Sequence, residues 1–156
     1  MEAEVVQPAD REMIERVLSH VPQKAPFRFI DEITTLTEIR ITGSYRYRED
    51  EYFYQGHFPG HPITPGVILI ETMAQFAVVA MNIYLRIVAG KDPSSPALFT
   101  DCEMEFSATV PPGSLVRIFG DRIFYRRGKI KSHCRLELED GTLAASGTIS
   151  GMETQI

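Results

Sequence analysis

The stretch GHFPGHPITPGVILIETMAQFAVVAMNIYLRIVA, Gly56 to Ala89, decides the fold. In its second part, Gly66 to Ala89, the strongly polar side chains are Glu71, Gln75, Asn82 and Arg86. As a helix this part would run about 36 Å at 1.5 Å per residue. That length would cross a bilayer, but a carboxylate near the middle of a span is expensive in lipid. The segment therefore predicts a long helix enclosed by protein, with no membrane span. At 100° per residue, with Glu71 at zero, Gln75 falls at about 40°, Asn82 at about 20° and Arg86 at about 60°, one narrow stripe. The stripe has two readings: the solvent face of an amphipathic helix, or a polar site built into a core. A solvent face is usually wider and richer in Lys and Glu. A Glu and a Gln near the N-terminal end suit a site. Phe76, Val78, Val79 and Met81 read as core.

Working outward, the remaining patterns are short. Asp10 is placed to cap a helix over Arg11 to Ser19, with Met13, Ile14, Val17 and Leu18 on one face. Pro22 and Pro26 end it. Phe29 to Leu36 and Ile39 to Arg48 predict strands, the second by the alternation of Ile39, Ile41, Tyr45 and Tyr47 with polar neighbours. Beyond the long helix, Ala97 to Phe106, Leu115 to Arg126, Lys129 to Glu139 and Thr142 to Ser150 predict further strands. Turns at Pro111-Pro112-Gly113, Arg127-Gly128 and Asp140-Gly141 join them. In the arm from Lys129, the residues Ile130, Ser132, Cys134, Leu136 and Leu138 face one way. Lys131, His133, Arg135, Glu137 and Glu139 face the other, as in an antiparallel sheet with one dry face. One long apolar helix with five or six antiparallel strands is an α+β pattern. Its economical arrangement is a curved sheet wrapped around the helix. Such a sheet keeps open edges, and pairing two copies edge to edge would cover them.

The chain has 156 residues, 44% apolar and 24% charged, the proportions of a globular domain, and residues 1–156 are expected to form one. A net charge of −5 gives no general affinity for nucleic acid. Cys102 and Cys134 have neither metal-type spacing nor the makings of a disulfide framework. The opening MEAEVVQPADREM lacks the apolar run of a signal peptide. Both features lead to the expectation of a cytoplasmic protein with reduced thiols.

The loop before the helix carries the chemistry. Pro59, Pro62 and Pro65 make it rigid. Pro65 and Gly66 open the helix, where unpaired backbone N–H groups carry partial positive charge and suit an oxyanion. His57 suits a general base near neutral pH. A carboxylate such as Glu71, in apolar surroundings, has its pKa pushed up and can be held as an acid. His57 and His61 are four residues apart, but the intervening Phe58-Pro59-Gly60 is not helical, so no metal site is expected. Tyr52, Phe53, Tyr54 and Phe58 read either as the closure of an acyl tunnel or as core.

The run GHFPGHPITPGVILIETMAQ resembles the signature of the β-hydroxyacyl-acyl carrier protein dehydratases, a family with the hot-dog fold. His57, Phe58, Pro59, Gly60, Pro62, Pro65, Gly66, Glu71, Ala74 and Gln75 match its pattern. Pro26-Phe27 with Asp31, and Val110-Pro111-Pro112-Gly113, extend the likeness over most of residues 20–152. The resemblance implies dehydration of β-hydroxyacyl thioesters on acyl carrier protein to trans-2-enoyl thioesters, in fatty-acid or related biosynthesis, with no cofactor. It implies His57 as base, Glu71 as acid and the Gly66 N–H as donor to the thioester oxygen. Pro65, Gln75 and Phe58 are implied around the substrate. It further implies a homodimer with two shared sites, with a trimer of dimers as the larger assembly. Glu71 favours plain dehydration, since the dehydratase/isomerase branch carries Asp there. Three departures stand out: Pro22-Gln23-Lys24 where Pro-His-Arg is frequent, Ser107-Ala108 where a basic pair is frequent, and Thr72 where Ala is usual.

Charge is uneven along the chain. Arg117, Arg122, Arg126, Arg127, Lys129, Lys131 and Arg135 face only Asp121 within residues 117–135, a net +6 in a chain of −5. The hairpin tip, Arg126, Arg127 and Lys129, is the candidate docking surface for an acidic carrier protein; a merely solvated hairpin is the other reading. Two further functions share the fold: an acyl thioesterase, and a non-catalytic acyl-binding or scaffold subunit.

Overall fold

The computed structural model describes residues 7–154. Helix α1 (Arg11–His20) begins where Asp10 Oδ1 accepts the Met13 N–H at 2.9 Å, an N-cap satisfying one of the free donors of the first turn. Strands β1 (Glu32–Leu36) and β2 (Arg40–Arg46) follow. A 3₁₀ turn, Tyr52–Gln55, leads through the proline loop into helix α2, Gly66–Val88. Strands β3 (Ala97–Phe106), β4 (Leu115–Arg126), β5 (Lys129–Leu138) and β6 (Leu143–Glu153) complete the described residues. The six strands form one antiparallel sheet in the order β1-β2-β4-β5-β6-β3, which curves around α2. Its edges are β1 and β3.

Helix α2 is apolar and long enough to cross a membrane, but 78% of its most apolar window is buried inside the fold. It is the core helix of an α+β domain. Its sequence explains the tight seat. A Cβ on Gly120 of β4 would lie 2.7 Å from the Ala77 Cβ, and one on Gly151 of β6 would lie 2.4 Å from Val78 Cγ1. Where the strands lack side chains the helix rests almost on the sheet backbone. Ser132 of β5 donates to the Ala77 carbonyl at 2.8 Å, a polar tie across the same contact.

The helix is not uniform. Gly66–Ala74 and Met81–Val88 are α-helical, but Gln75–Ala80 runs as a π-helix with all six residues buried. Wide π turns change the angular step, so the single polar stripe expected from a 100° step does not form. Glu71 and Gln75 stay together. Asn82 is buried away from them, with no hydrogen-bond partner among the described residues. Arg86 points to the other end of the sheet, where it pairs with Glu153 at 2.9 Å and donates to the Asp92 carbonyl at 2.5 Å. The solvent-face reading fails for Gln75 and Asn82, both fully buried.

Strand boundaries differ from expectation for local reasons. β1 begins at Glu32, not Phe29, because the Phe29 N–H is taken by the Gln75 side chain instead of the ladder. β6 runs to Glu153, three residues past Ser150, because it pairs with β3 as far as Ala97↔Glu153. The β4–β5 hairpin turns at Arg127 and Gly128, with φ of 50° and 76°, the positive pair of a tight type I′ turn.

Filling the close contact is the direct test of this packing. Gly120→Val should lower stability by roughly 1–3 kcal/mol through overpacking against Ala77, measured by chemical denaturation. An unchanged denaturation midpoint would mean that the helix does not sit this close to the sheet.

Candidate active site

The proline loop is closed by two bonds between His57 and Ile63. The Ile63 N–H donates to the His57 carbonyl at 2.9 Å, and His57 Nδ1 lies 3.1 Å from the Ile63 carbonyl. A carbonyl only accepts, so Nδ1 carries a proton, and in the neutral imidazole Nε2 is then the nitrogen with the lone pair. The Phe58 ring stacks on the imidazole at 4.4 Å and is itself 55% exposed. Of the expected aromatic cluster, Tyr52, Phe53 and Tyr54 pack ring to ring, from a half-exposed Tyr52 to a buried Tyr54, while Phe58 stands with His57. His61 is exposed, its N–H donating to the Phe58 carbonyl within the loop.

Pro65 is the N-cap of α2, its carbonyl accepting the N–H groups of Ile68 and Leu69 at 2.9 and 3.1 Å. No side chain caps this end. Among the described residues nothing accepts from the Gly66 and Val67 N–H groups. These donors, at the positive end of the helix dipole, suit a developing negative charge.

One turn further, Glu71 is half-buried. Gln75 Nε2 donates to Glu71 Oε1 at 2.9 Å and to the Phe27 carbonyl at 2.9 Å, while Gln75 Oε1 accepts the Phe29 N–H at 2.7 Å. Burial pushes the Glu71 carboxyl above its ordinary range, and the Gln75 amide offsets this only in part. Beside the carboxyl lies a cavity of roughly 380 Å³, lined by Val67, Ile70, Phe99 and Cys102. A larger cavity, roughly 470 Å³, lies between Pro26, Arg28, Asp31, Tyr45, Arg48 and Glu51. Its wall carries charges of both signs and neither His57 nor Glu71, so the apolar cavity at Glu71 is the better match for an acyl chain.

The structure thus brings Glu71 and Gln75 together, and joins Pro65 and Gly66 to the His57 loop. It forms no hydrogen bond between His57 and Glu71 within the chain, and the Glu71 cavity has no His57 in its wall. Arg126, Arg127 and Lys129 stand at the tip of the β4–β5 hairpin; Arg126 lies over the Phe124 ring, and Lys129 pairs with Asp101 at 3.4 Å. Sequence reading missed Phe99 and Cys102: Cys102, Met104 and Phe106 alternate with Asp101, Glu103 and Glu105 along β3, but the pairing register shifts between Phe99 and Asp101, so no strand period joins Phe99 to that face. It also missed the role of Thr72, whose hydroxyl meets Tyr47 OH at 2.6 Å and donates to the Ile68 carbonyl at 2.7 Å. The departure from Ala at that position was the only signal.

The fold and this constellation define a class, and the sequence agrees: residues 21–145 match the model of the FabA-like domain, and the chain belongs to that family. It is 31% identical over 137 residues to the 3-hydroxyacyl-[acyl-carrier-protein] dehydratase FabZ of Acinetobacter baumannii, across 87% of this chain and 92% of the relative. It is 34% identical over 131 residues to the FabZ of Acetivibrio thermocellus, across 83% and 86%. Among solved structures, the dehydratase heterocomplex ApeI:P from Xenorhabdus doucetiae superposes with a TM-score of 0.73 at 14% identity, covering 89% of this chain and 91% of that one. A hypothetical thioesterase from Streptococcus pneumoniae, solved with coenzyme A, gives 0.59 at 11% identity, covering 79% and 84%. Both structural likenesses are of fold.

The raised Glu71 pKa has a signed consequence. The folded state holds the Glu71 proton more tightly than the unfolded chain, whose value is near 4.5. Stability from this group is therefore full below that value and falls as pH rises through the folded pKa. Glu71→Gln should melt no lower than the parent at pH 7, and its advantage should vanish below about pH 4.5. Thermal melts across that range check this; a variant less stable at pH 7 than at pH 4, relative to the parent, would contradict it.

Proposed function

We infer that this chain dehydrates 3-hydroxyacyl thioesters carried on acyl carrier protein, in fatty-acid biosynthesis. The observation that carries the inference is its membership of the FabA-like family, with FabZ relatives at 31–34% identity over most of both chains.

The site geometry supports a specific course. His57, neutral with its proton on Nδ1, takes the α-proton of the substrate at Nε2. The electrons pass toward the thioester carbonyl, whose oxygen accepts the Gly66 N–H as negative charge builds there. The Glu71 carboxyl, whose protonated form burial favours, gives its proton to the β-hydroxyl, which leaves as water with the C–O electron pair as the enolate electrons close the Cα=Cβ bond. Return of the His57 proton to Glu71, through solvent, resets the site. Gln75 aims the Glu71 carboxyl, and Phe58 and Pro65 shape the approach to His57. The thioester itself acidifies the α-proton, so this course uses no cofactor.

Because His57 and Glu71 of one chain are not brought together, the reading includes a homodimer in which His57 of one copy serves Glu71 of the other. Two observations support it. Strand β3 is an edge whose second side is unpaired, with Leu98, Phe99 and Phe106 about half exposed. Phe99 and Cys102 of this edge line the Glu71 cavity, so a second copy paired there would close it. A trimer of dimers extends the same scheme. The hairpin tip, Arg126, Arg127 and Lys129, is assigned to the acidic carrier. The exposed thiol of Cys102 and the buried thiol of Cys134, both unbridged, suit a cytoplasmic site of action.

A trans-2-enoyl pantetheine thioester separates the candidate functions in one assay. Loss of the enoyl absorbance by hydration is expected. Release of free thiol would make the protein a thioesterase, and neither change would make it an acyl-binding subunit. His57→Ala and Glu71→Gln should each slow hydration by about 10²–10⁴-fold while remaining folded. Charge reversal at the hairpin tip should raise KM for carrier-bound substrate and leave that for the pantetheine thioester unchanged.

A further inference from the structure

The loop that carries His57 is closed at its base by a bond that the reaction itself does not use. Tyr54, in the 3₁₀ turn, and Thr64, next to the N-cap Pro65, meet hydroxyl to hydroxyl at 2.7 Å. Both residues are buried, Tyr54 at 6% and Thr64 at 4% exposure. The Thr64 N–H is fixed separately, to the Val110 carbonyl at 2.8 Å. One step inside the Tyr54–Thr64 pair, His57 and Ile63 exchange their two bonds. One step outside it, Pro65 begins the helix whose Gly66 N–H is free. The pair therefore stands where the base and the oxyanion donor diverge along the chain.

We propose that the Tyr54–Thr64 hydroxyl pair is a positioning clasp that sets the His57 imidazole relative to the Gly66 N–H. This rests on the dehydratase reading above, in which those two groups act on the same substrate. Packing alone does not require the hydroxyls, since a phenyl ring and a valine side chain would fill the same space. Two buried hydroxyls that satisfy each other add direction: they fix how far the two loop ends stand apart and at what rotation. Burial keeps the Tyr54 phenol protonated, its pKa pushed up to about 12, so the pair persists across the working pH range. A displacement of about 1 Å between reacting groups lowers turnover by as much as 10²-fold.

The test separates catalysis from stability. Tyr54→Phe and Thr64→Val each leave one buried hydroxyl unpaired, whereas the double variant leaves none and should regain the parental melting temperature. The clasp predicts that kcat falls roughly 10- to 100-fold in both single variants and stays down in the double variant, with KM within about twofold. Thr64→Ser, which keeps the hydroxyl, should restore kcat to near the parental value. A role in stability alone would return kcat together with the melting temperature in the double variant, and that result overturns the proposal. Spectra of ¹⁵N-histidine-labelled protein give a readout independent of turnover. His57 should be a single Nδ1–H tautomer in the parent and a mixture in the double variant; an unchanged tautomer in the double variant also overturns the proposal. If the parent fails to hydrate enoyl thioesters at all, the dehydratase reading fails by itself, and the tautomer spectra still decide whether the pair positions His57.

Discussion

The side-chain amide of Gln75 ties three parts of the molecule together. It is fully buried, and it reaches the backbone of Phe27 and Phe29 on one side and the carboxyl of Glu71 on the other. An amide buried without partners would be strongly disfavoured, so this position is tolerated only with all three contacts made. The consequences run outward. The segment before β1 is held against the helix, which is why the ladder to β2 starts only at Glu32. The π-helical turns begin at the same residue and lay Phe76, Ala77 and Val78 against the glycines of the sheet. The Glu71 carboxyl has one oxygen committed to the amide while the cavity opens beside it.

Two ionisable groups of different character result. Glu71 lies against apolar walls and its neutral form is favoured; His57 lies in a proline loop with one nitrogen bound to a carbonyl and the other free. In the proposed reaction this difference assigns acid and base without a further residue, because the environment sets which group enters protonated. The helix start supplies donors from the backbone alone. Pro65 caps this end through its own carbonyl, so in the proposed reaction the chemistry is specified largely by backbone geometry and by which side chains are denied water.

Much of this was legible in the residues. The long helix, the Asp10 cap, the Arg127-Gly128 and Asp140-Gly141 turns, and the α+β arrangement followed from periodicity and turn chemistry. His57, Gly66, Glu71 and Gln75 stood out through their loop and helix spacing. What was not legible shares a physical cause. The π turns have no marker in composition, so a 3.6-residue repeat placed Asn82 and Arg86 on a stripe they do not share with Glu71. Gln75 finds backbone partners 46 and 48 positions away, and backbone atoms are the same whatever the sequence. Tyr47 with Thr72 and Tyr54 with Thr64 are pairs across loops, which neither a helical nor a strand period connects. The Glu71 cavity draws Phe99 and Cys102 from an edge strand whose side chains are nearly all exposed in one copy.

The central claim is that the site is shared between two copies, and mixing inactive chains tests it most directly. His57→Ala and Glu71→Gln proteins are combined in equal amounts and allowed to exchange subunits. Random exchange makes about half of the dimers mixed, each with one intact and one doubly altered site, so hydration should recover to about a quarter of the parental rate by the symmetry of the dimer. Activity that stays at the level of the two inactive proteins, with exchange demonstrated by mass spectrometry, would mean that His57 and Glu71 act within one chain.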